Sequence, residues 1–297
     1  MRHRAGRARA LKEAFLGALG LLATLAGPAV AETAEHLGSY TWRPGWHGAG
    51  GYSALWLDED GASFVALSDR GRWVRGVLSR DDEGAVADVA VSDRGTLRGI
   101  GGAELPPGRG RDAEGIARTG GAFVVSFEGD HRVVRYDPIS GPAIGMPRPR
   151  AWRDLLVNSG FEALAAAPDG TLLAIVESNG GRDFPVWRFD GESWAVAFDL
   201  SRDGRFTPVG ADVGPDGRLY VLDRAYELIG FRSRLRSLAL DGSDERELMR
   251  TPLRRHDNLE GLSVWRGADG RLRATMISDD NLRAFQVTEF VDYVLED

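Results

Sequence analysis

The sequence predicts an all-β protein, a β-propeller of about six blades (five to six), each of four strands. Three observations carry this expectation. An acid–small–apolar step recurs along the chain. Each copy opens a strand–turn–strand unit. No long segment after residue 31 shows helical periodicity. The copies are "GGYSALWLDEDGASFVALSD" (50–69), "DAEGIARTGGAFVVSFEGD" (112–130), "GFEALAAAPDGTLLAIVES" (160–178), "VGADVGPDGRLYVLDR" (209–224) and "NLEGLSVWRGADGRLRATMISDD" (258–280).

Each element of a unit has a local reason. The opening and second strands are apolar, and "TLLAIVE" and "AFVVSFE" alternate with strand period. The turns between them read "EDG", "TGG", "PDG", "PDG" and "ADG". Asp-Gly and Gly-Gly supply the positive φ that a tight hairpin needs. Third and fourth strands follow in "HRVVRYDP", "VWRFDG" and "RLRSLALDG". The opening acids Glu114, Glu162, Asp212 and Glu260 recur at intervals of 48–50 residues, and four strands at about that period mark a propeller. The first copy stands 61 residues earlier and carries Ser53 at that point. Its extra length, "WVRGVLSRD" and "GAVADVAVSD", is expected to hold a further sheet. The last strands, "AFQVTEFVDYVLE", are expected to pair with "HLGSYTW" near the N-terminus and close the ring.

The first segment reads as a cleaved secretory signal over 1–31. A basic leader, "MRHRAGRARALK", precedes the apolar "AFLGALGLLATLAG", and "AVA" at 29–31 fits a small-residue cleavage site. The apolar run is shorter than the roughly 20 residues a membrane span needs. The chain is therefore expected to be periplasmic or secreted, with residues 32–297 as one domain. Removing Arg2, Arg4, Arg7, Arg9, Lys12 and Glu13 takes the formal charge from −7 to −11. A chain this acidic is not expected to bind nucleic acid or anionic membrane. There is no Cys, which excludes disulfides, thiolate zinc sites and cysteine nucleophiles. Lys12 is the only lysine, so the expected mature chain has neither a Schiff-base lysine nor a Walker A loop. Its cations are arginines, whose planar fork suits phosphate or carboxylate.

In a propeller, innermost strands line a central channel, and residues at one register fall on a ring. Here those residues are carboxylates. One set opens the first strand: Glu114, Glu162, Asp212 and Glu260. The other closes the second: Asp69, Glu128, Glu177, Asp223 and Asp279. Like charges so placed must protonate, pair with cations such as Arg70, Arg132, Arg182, Arg224 or Arg234, or hold a metal. Oxygen ligands without Cys or clustered His favour Ca²⁺, or else Mg²⁺, over zinc. The candidate metal ligands are Glu114, Glu162, Glu177, Asp212, Asp223, Glu260 and Asp279. A structural reading stands beside this one, because an Asp often serves only to cap a turn.

At this point "GFEALA" with "LLAIVES", "LYVLDRAY" before "GFRSRLRSL", and "NLEGLSVW" with "MISDDN" resemble the phytase-like family known as esterase-like activity of phytase. The resemblance runs from about residue 38 to 297. It implies a calcium-binding propeller acting on phosphate esters, with Glu114, Glu162, Glu177, Asp223, Arg224, Glu260, Asp279 and Asp280 at the family's acidic and arginine positions. Ser53 in the first unit and Asp212-Val213 in the fourth depart from it.

The expected function is an exported metal-dependent hydrolase of phosphate or carboxylate esters. A divalent ion on Glu260, Glu162 and Glu114 would polarise the ester, and Arg224 or Arg70 would clamp the anion. A carboxylate off the metal would serve as general base, and His256 is a further acid–base candidate. The expected partner is a small anionic or metal-bridged ester, and the chain is expected to be a monomer. Two alternatives are a non-catalytic propeller that binds a ligand or protein, and a calcium-dependent lactonase. The loop "DLSRDGRFTPVG" begins like an EF-hand but ends in Gly210 where a bidentate Glu is required, so it reads as a surface turn. No G-x-S-x-G elbow occurs. The other histidines expected in the mature chain, His36, His47 and His131, are scattered, with His47 and His131 weighed as channel-mouth residues. Trp56, Trp187 and Trp265 read as core.

Overall fold

A computed structural model describes residues 33–155, 160–177 and 183–296. The leader 1–31, and Arg182 with it, lie outside the described residues. Twenty strands form five four-stranded antiparallel sheets. In the first blade β2 (Tyr52–Leu57), β3 (Ser63–Ser68), β4 (Arg72–Arg80) and β5 (Val86–Thr96) run from the axis outward. The second holds β6 (Ala113–Thr119), β7 (Ala122–Phe127), β8 (Arg132–Tyr136) and β9 (Ala143–Gly145). The third holds β10 (Phe161–Ala166), β11 (Leu172–Val176), β12 (Phe184–Phe189) and β13 (Trp194–Leu200). The fourth holds β14 (Thr207–Val213), β15 (Leu219–Glu227), β16 (Gly230–Leu238) and β17 (Arg246–Arg250). The fifth holds β18 (Asn258–Arg266), β19 (Leu272–Asp279) and β20 (Thr288–Leu295), and β1 (Ala34–Trp42) completes it as the outer strand.

The β1–β20 pairing runs from Ala34↔Leu295 to Trp42↔Thr288, so the N-terminal strand closes the ring as the sequence predicts. The blade count is five, the lower of the two expected values. The extra length of the first unit does not hold another sheet. "WVRGVLSRD" and "GAVADVAVSD" become β4 and β5, an extended outer hairpin of the first blade, and the surplus falls in the connection from residue 97 to 112.

Local chemistry sets the hairpins. In the third blade Ala167 N donates to Thr171 O (2.8 Å), Gly170 takes φ +90°, and Asp169 Oδ1 accepts from Thr171 N. The "PDG" of the fourth blade and the "ADG" of the fifth repeat the arrangement at Gly214–Arg218 and Gly267–Arg271. The second blade instead turns on Gly120 and Gly121, both at positive φ.

The core lies between blades, because no sheet can bury its apolar faces alone. Five apolar clusters fill the five interfaces. Val65, Leu67 and Trp73 meet Val125, Phe127 and Tyr136 between blades one and two. Val124 and Val133 meet Leu172 and Ala174 between two and three. Ile175 and Val186 meet Val221 and Leu238 between three and four. Leu222 and Leu235 meet Met276 and Tyr293 between four and five. Trp42 and Phe290 meet Phe64 between five and one.

The innermost strands share one irregularity that builds the site. Each has a register shift one or two residues into the strand: Tyr52/Ala54, Ala113/Gly115, Phe161/Ala163, Pro208/Gly210 and Leu259/Gly261. The bulged residues are Ser53, Glu114, Glu162, Val209 and Glu260. A bulge re-aims the side chain at a barrel or propeller rim. The residue after each bulge is Ala or Gly because the inner strands crowd the axis there. A Cβ on Gly210 would run into the Glu260 carbonyl, and one on Gly261 would stand 2.8 Å from Leu55 N.

Candidate metal-binding site at the channel mouth

The bulges define the register, and the register revises the fourth unit. Val209, not Asp212, is the counterpart of Glu114, Glu162 and Glu260. Asp212 lies three residues further along β14, where its Oδ2 accepts from Ser263 Oγ (3.1 Å) and Val264 N (2.8 Å). It ties blade four to blade five, so the structure does not bring it together with the other expected ligands. The closing positions shift in the same way. Opposite the entrance of each inner strand stand Asp69 (Gly51), Glu128 (Asp112), Glu177 (Gly160), Arg224 (Thr207) and Asp279 (Asn258). Arg224 therefore occupies the acid position of blade four. Asp223 sits one residue off, fully buried, with Oδ1 accepting from Arg236 (3.0 Å) and Oδ2 from Arg234 (2.9 Å). Its oxygens are committed to guanidinium groups, and the structure does not bring it together with the ring carboxylates. The fourth unit keeps the common register through its small residue, Gly210, which corresponds to Ala54, Gly115, Ala163 and Gly261.

The ring thus carries Asp69, Glu114, Glu128, Glu162, Glu177, Glu260 and Asp279 with Arg224 among them. Asp112, which the sequence reading passed over, joins them: its backbone carbonyl accepts from Glu128 N, and its carboxylate lies beside those of Glu114 and Glu128. Two groups can each place three carboxylate oxygens within 4.8 Å of one another: Asp112, Glu114 and Glu128, and Glu128, Glu162 and Glu177. Glu128 belongs to both. The donors are all hard oxygens, the chemistry that suits a divalent cation such as calcium or magnesium. Glu260 stands apart, bonded to Arg224 and to Asn258 Nδ2 (2.8 Å).

Electrostatics follow from burial and crowding. Burial, then the charges of Glu162 and Glu260, push Glu114 well above the usual carboxylate range. Burial, then Glu177 and Glu128, do the same to Glu162. Burial and then Asp112 raise Glu128 to about 7, and burial and then Glu260 raise Asp279 to about 8. Burial alone would lower Arg224, but Glu260, Glu162 and Glu177 raise it instead. These carboxyls bind protons more tightly when folded than when unfolded. Stability therefore falls as pH rises from about 5 through 7 and 8. We expect the melting temperature of the metal-free protein to drop by about 5 °C between pH 5 and pH 8. Calcium bound by these carboxylates would compete with those protons, so any stabilisation it gives should be largest at pH 8. Differential scanning calorimetry across that range, with and without calcium, checks both.

Other expected site residues lie elsewhere. His256 Nε2 is 2.8 Å from the Tyr293 hydroxyl, and its ring packs against His36, on the side of β1 and β20. Burial, then His36 and Arg255, hold it down at about 3. The structure places it beside β1 and β20 and not with the ring carboxylates, where the expected acid–base role would need it. Asp280 caps a turn, accepting from Gly51 N and Leu282 N. Arg234 serves Asp223 and Asp203, and Arg132 reaches Asp130 and Gly110 O, so neither neutralises the ring. Arg70 stands 3.9 Å from Asp69. His131 is buried, and His47 lines a cavity on the first blade with Trp46 and Tyr52. Asp203 of the EF-hand-like loop pairs with Arg234 and Arg250.

A family model, phytase-like, described as esterase-like activity of phytase, matches residues 47–282. The chain belongs to that family. The match spans the first four blades of this phytase-like protein and the inner two strands of the fifth, β18 and β19, and leaves out β20 and β1. Solved structures with similar folds are distant. One is a nidogen/laminin complex (16% identity, 72% of this chain, 73% of that chain, TM-score 0.44). Another is a protein of unknown function from Dyadobacter fermentans (12%, 82% and 76%, 0.45). A third is a gluconolactonase from Xanthomonas campestris (15%, 82% and 86%, 0.42). No curated protein matches the chain in sequence.

Proposed function

We propose that this protein is an exported, calcium-dependent hydrolase of phosphate or carboxylate esters, working at the mouth of the propeller. The observation that carries the reading is the pair of carboxylate groups joined through Glu128. Asp112, Glu114, Glu128, Glu162 and Glu177 would hold the ion. A bound divalent cation supplies Lewis-acid polarisation of the ester oxygen.

The chain's own groups do the rest. Arg224, fixed by Glu260 and Asn258, spreads positive charge over the third-to-fifth-blade side of the ring and offsets part of the upward push that burial exerts on the Glu260 carboxyl. Asp279 belongs to the ring but lies outside both carboxylate groups, so its oxygens are not needed to hold the ion, and it is the general base of the proposal. Arg70, beside Asp69 and exposed, is positioned to meet the anion. The leader over 1–31 supports export.

The test is metal analysis of the purified mature chain, with a panel of aryl phosphates, aryl acetates and lactones. Hydrolysis that calcium restores after chelation, and that Glu162→Ala abolishes in a folded protein, is the expected result. A metal-free chain with no chelation-sensitive hydrolysis of any panel member would overturn the reading, and activity confined to lactones would restrict it.

A further inference from the structure

We propose that the cavity beside the first blade seats the anionic portion of the substrate, a small molecule carrying two or more negative charges, and that Arg98 and Arg111 select it. The inference rests on the hydrolase reading for its catalytic consequence, but the binding it predicts does not require the metal.

The cavity holds about 780 Å³, the size of a small-molecule site. Four arginines line it, Arg70, Arg72, Arg98 and Arg111, against two acids, Asp69 and Glu104. This is a cationic recess in a chain whose formal charge is −7. Two of the guanidinium groups are poorly engaged. Arg111 spends only its Nε, on Leu105 O (2.9 Å). Among the described residues no hydrogen bond or ion pair engages the Arg98 side chain. A planar fork with free N–H groups fits a phosphoryl or carboxylate group.

The wall is built rather than incidental. One side is made by the connection from residue 97 to 112, the surplus length that sets the first unit apart from the others, and the other by Asp69, Arg70 and Gly71 of the turn between β3 and β4, with Arg72 and Thr96. Leu97 and Leu105 anchor that connection in the core between blades one and two. Arg98 and Glu104 form an isolated β-bridge, Gly99 N donates to Ala103 O (2.7 Å), and the Tyr136 hydroxyl donates to Arg98 O (3.0 Å). The cavity borders the ring: Asp69, at the acid position of blade one, lines it, and Arg111 directly precedes Asp112 of the first carboxylate group. In the proposal, an anion seated on the arginines leaves the neighbouring ester bond on the side of the carboxylates.

Binding to the full mature chain, stripped of metal on a chelating resin and free of soluble chelator, tests the proposal. The probes are inorganic pyrophosphate and tricarballylate, measured by titration calorimetry. The expected result is saturable binding that Arg98→Ala and Arg111→Ala each weaken at least about tenfold, since a hydrogen bond to a charged group contributes about 1.5–3 kcal/mol. Arg98→Lys should retain part of it, and Arg135→Ala, an exposed residue on β8, all of it. The tighter probe identifies the anion as phosphoryl or carboxylate. Absence of binding for both probes, or undiminished affinity in both alanine variants, overturns the cavity assignment even if metal-dependent hydrolysis persists. Intact, arginine-dependent binding without any metal-dependent hydrolysis leaves the cavity standing and sinks the hydrolase reading instead.

Discussion

Replacing Glu128 with glutamine should remove the calcium-dependent rise in melting temperature and lower calcium-dependent hydrolysis at least about 100-fold. Glu128 is the one carboxylate common to both acidic groups, so its loss leaves Asp112 with Glu114 on one side and Glu162 with Glu177 on the other. Two carboxylates seldom hold calcium, which takes six to eight oxygens. The same change should stabilise the metal-free protein at pH 8. Glu128 faces Asp112 and Glu177, and an uncharged amide relieves that repulsion. A variant that is more stable without calcium and indifferent to calcium is hard to produce by misfolding. Calorimetry with and without calcium reads both effects. A full calcium response in Glu128→Gln would remove Glu128 from the metal site.

Asp223→Ala should cause the largest loss of stability, about 3–5 kcal/mol, or on the order of 10 °C in melting temperature. The carboxylate is fully buried, and it is shared by Arg234 and by Arg236, whose side chain is 0% exposed. Burial tends to raise the Asp223 carboxyl, and the two guanidinium groups work against that. Removing it leaves Arg236 with Glu245 and a backbone carbonyl as its remaining partners, inside the fourth blade. Breaking a buried pair is costly because the surviving charge is left desolvated. Adding Arg236→Met should recover part of the loss. The calcium response should be unchanged, because Asp223 lies off the ring. Thermal unfolding of the single and double variants, each with and without calcium, checks this. A near-neutral Asp223→Ala would show that the network contributes little.

These two acids were indistinguishable in the linear chain, and that shows where sequence reading stopped. The strands, Asp-Gly turns, repeat and ring closure were all legible, because each is written locally in alternation and turn chemistry. Glu114, Glu128, Glu162 and Glu177 could be placed at the mouth for the same reason. Asp212 and Asp223 were misplaced because the fourth unit has acids one or three residues from the register, and its ring position carries Val209. His256 sits only four residues before Glu260, yet the strand carries one toward β1 and β20 and the other into the channel.

By itself the sequence determined a closed β-propeller with carboxylates gathered at one end of its axis, because periodicity and positive-φ turns act over a few residues at a time. Only the tertiary structure decided which acids cluster closely enough to hold a cation and which are spent on arginines. That choice depends on the bulge in each inner strand and on which blade's side chains arrive opposite it, and these are contacts between residues far apart in the chain. It also decided that the surplus of the first unit walls an arginine-lined cavity instead of adding a sheet, since five blades had already filled the ring.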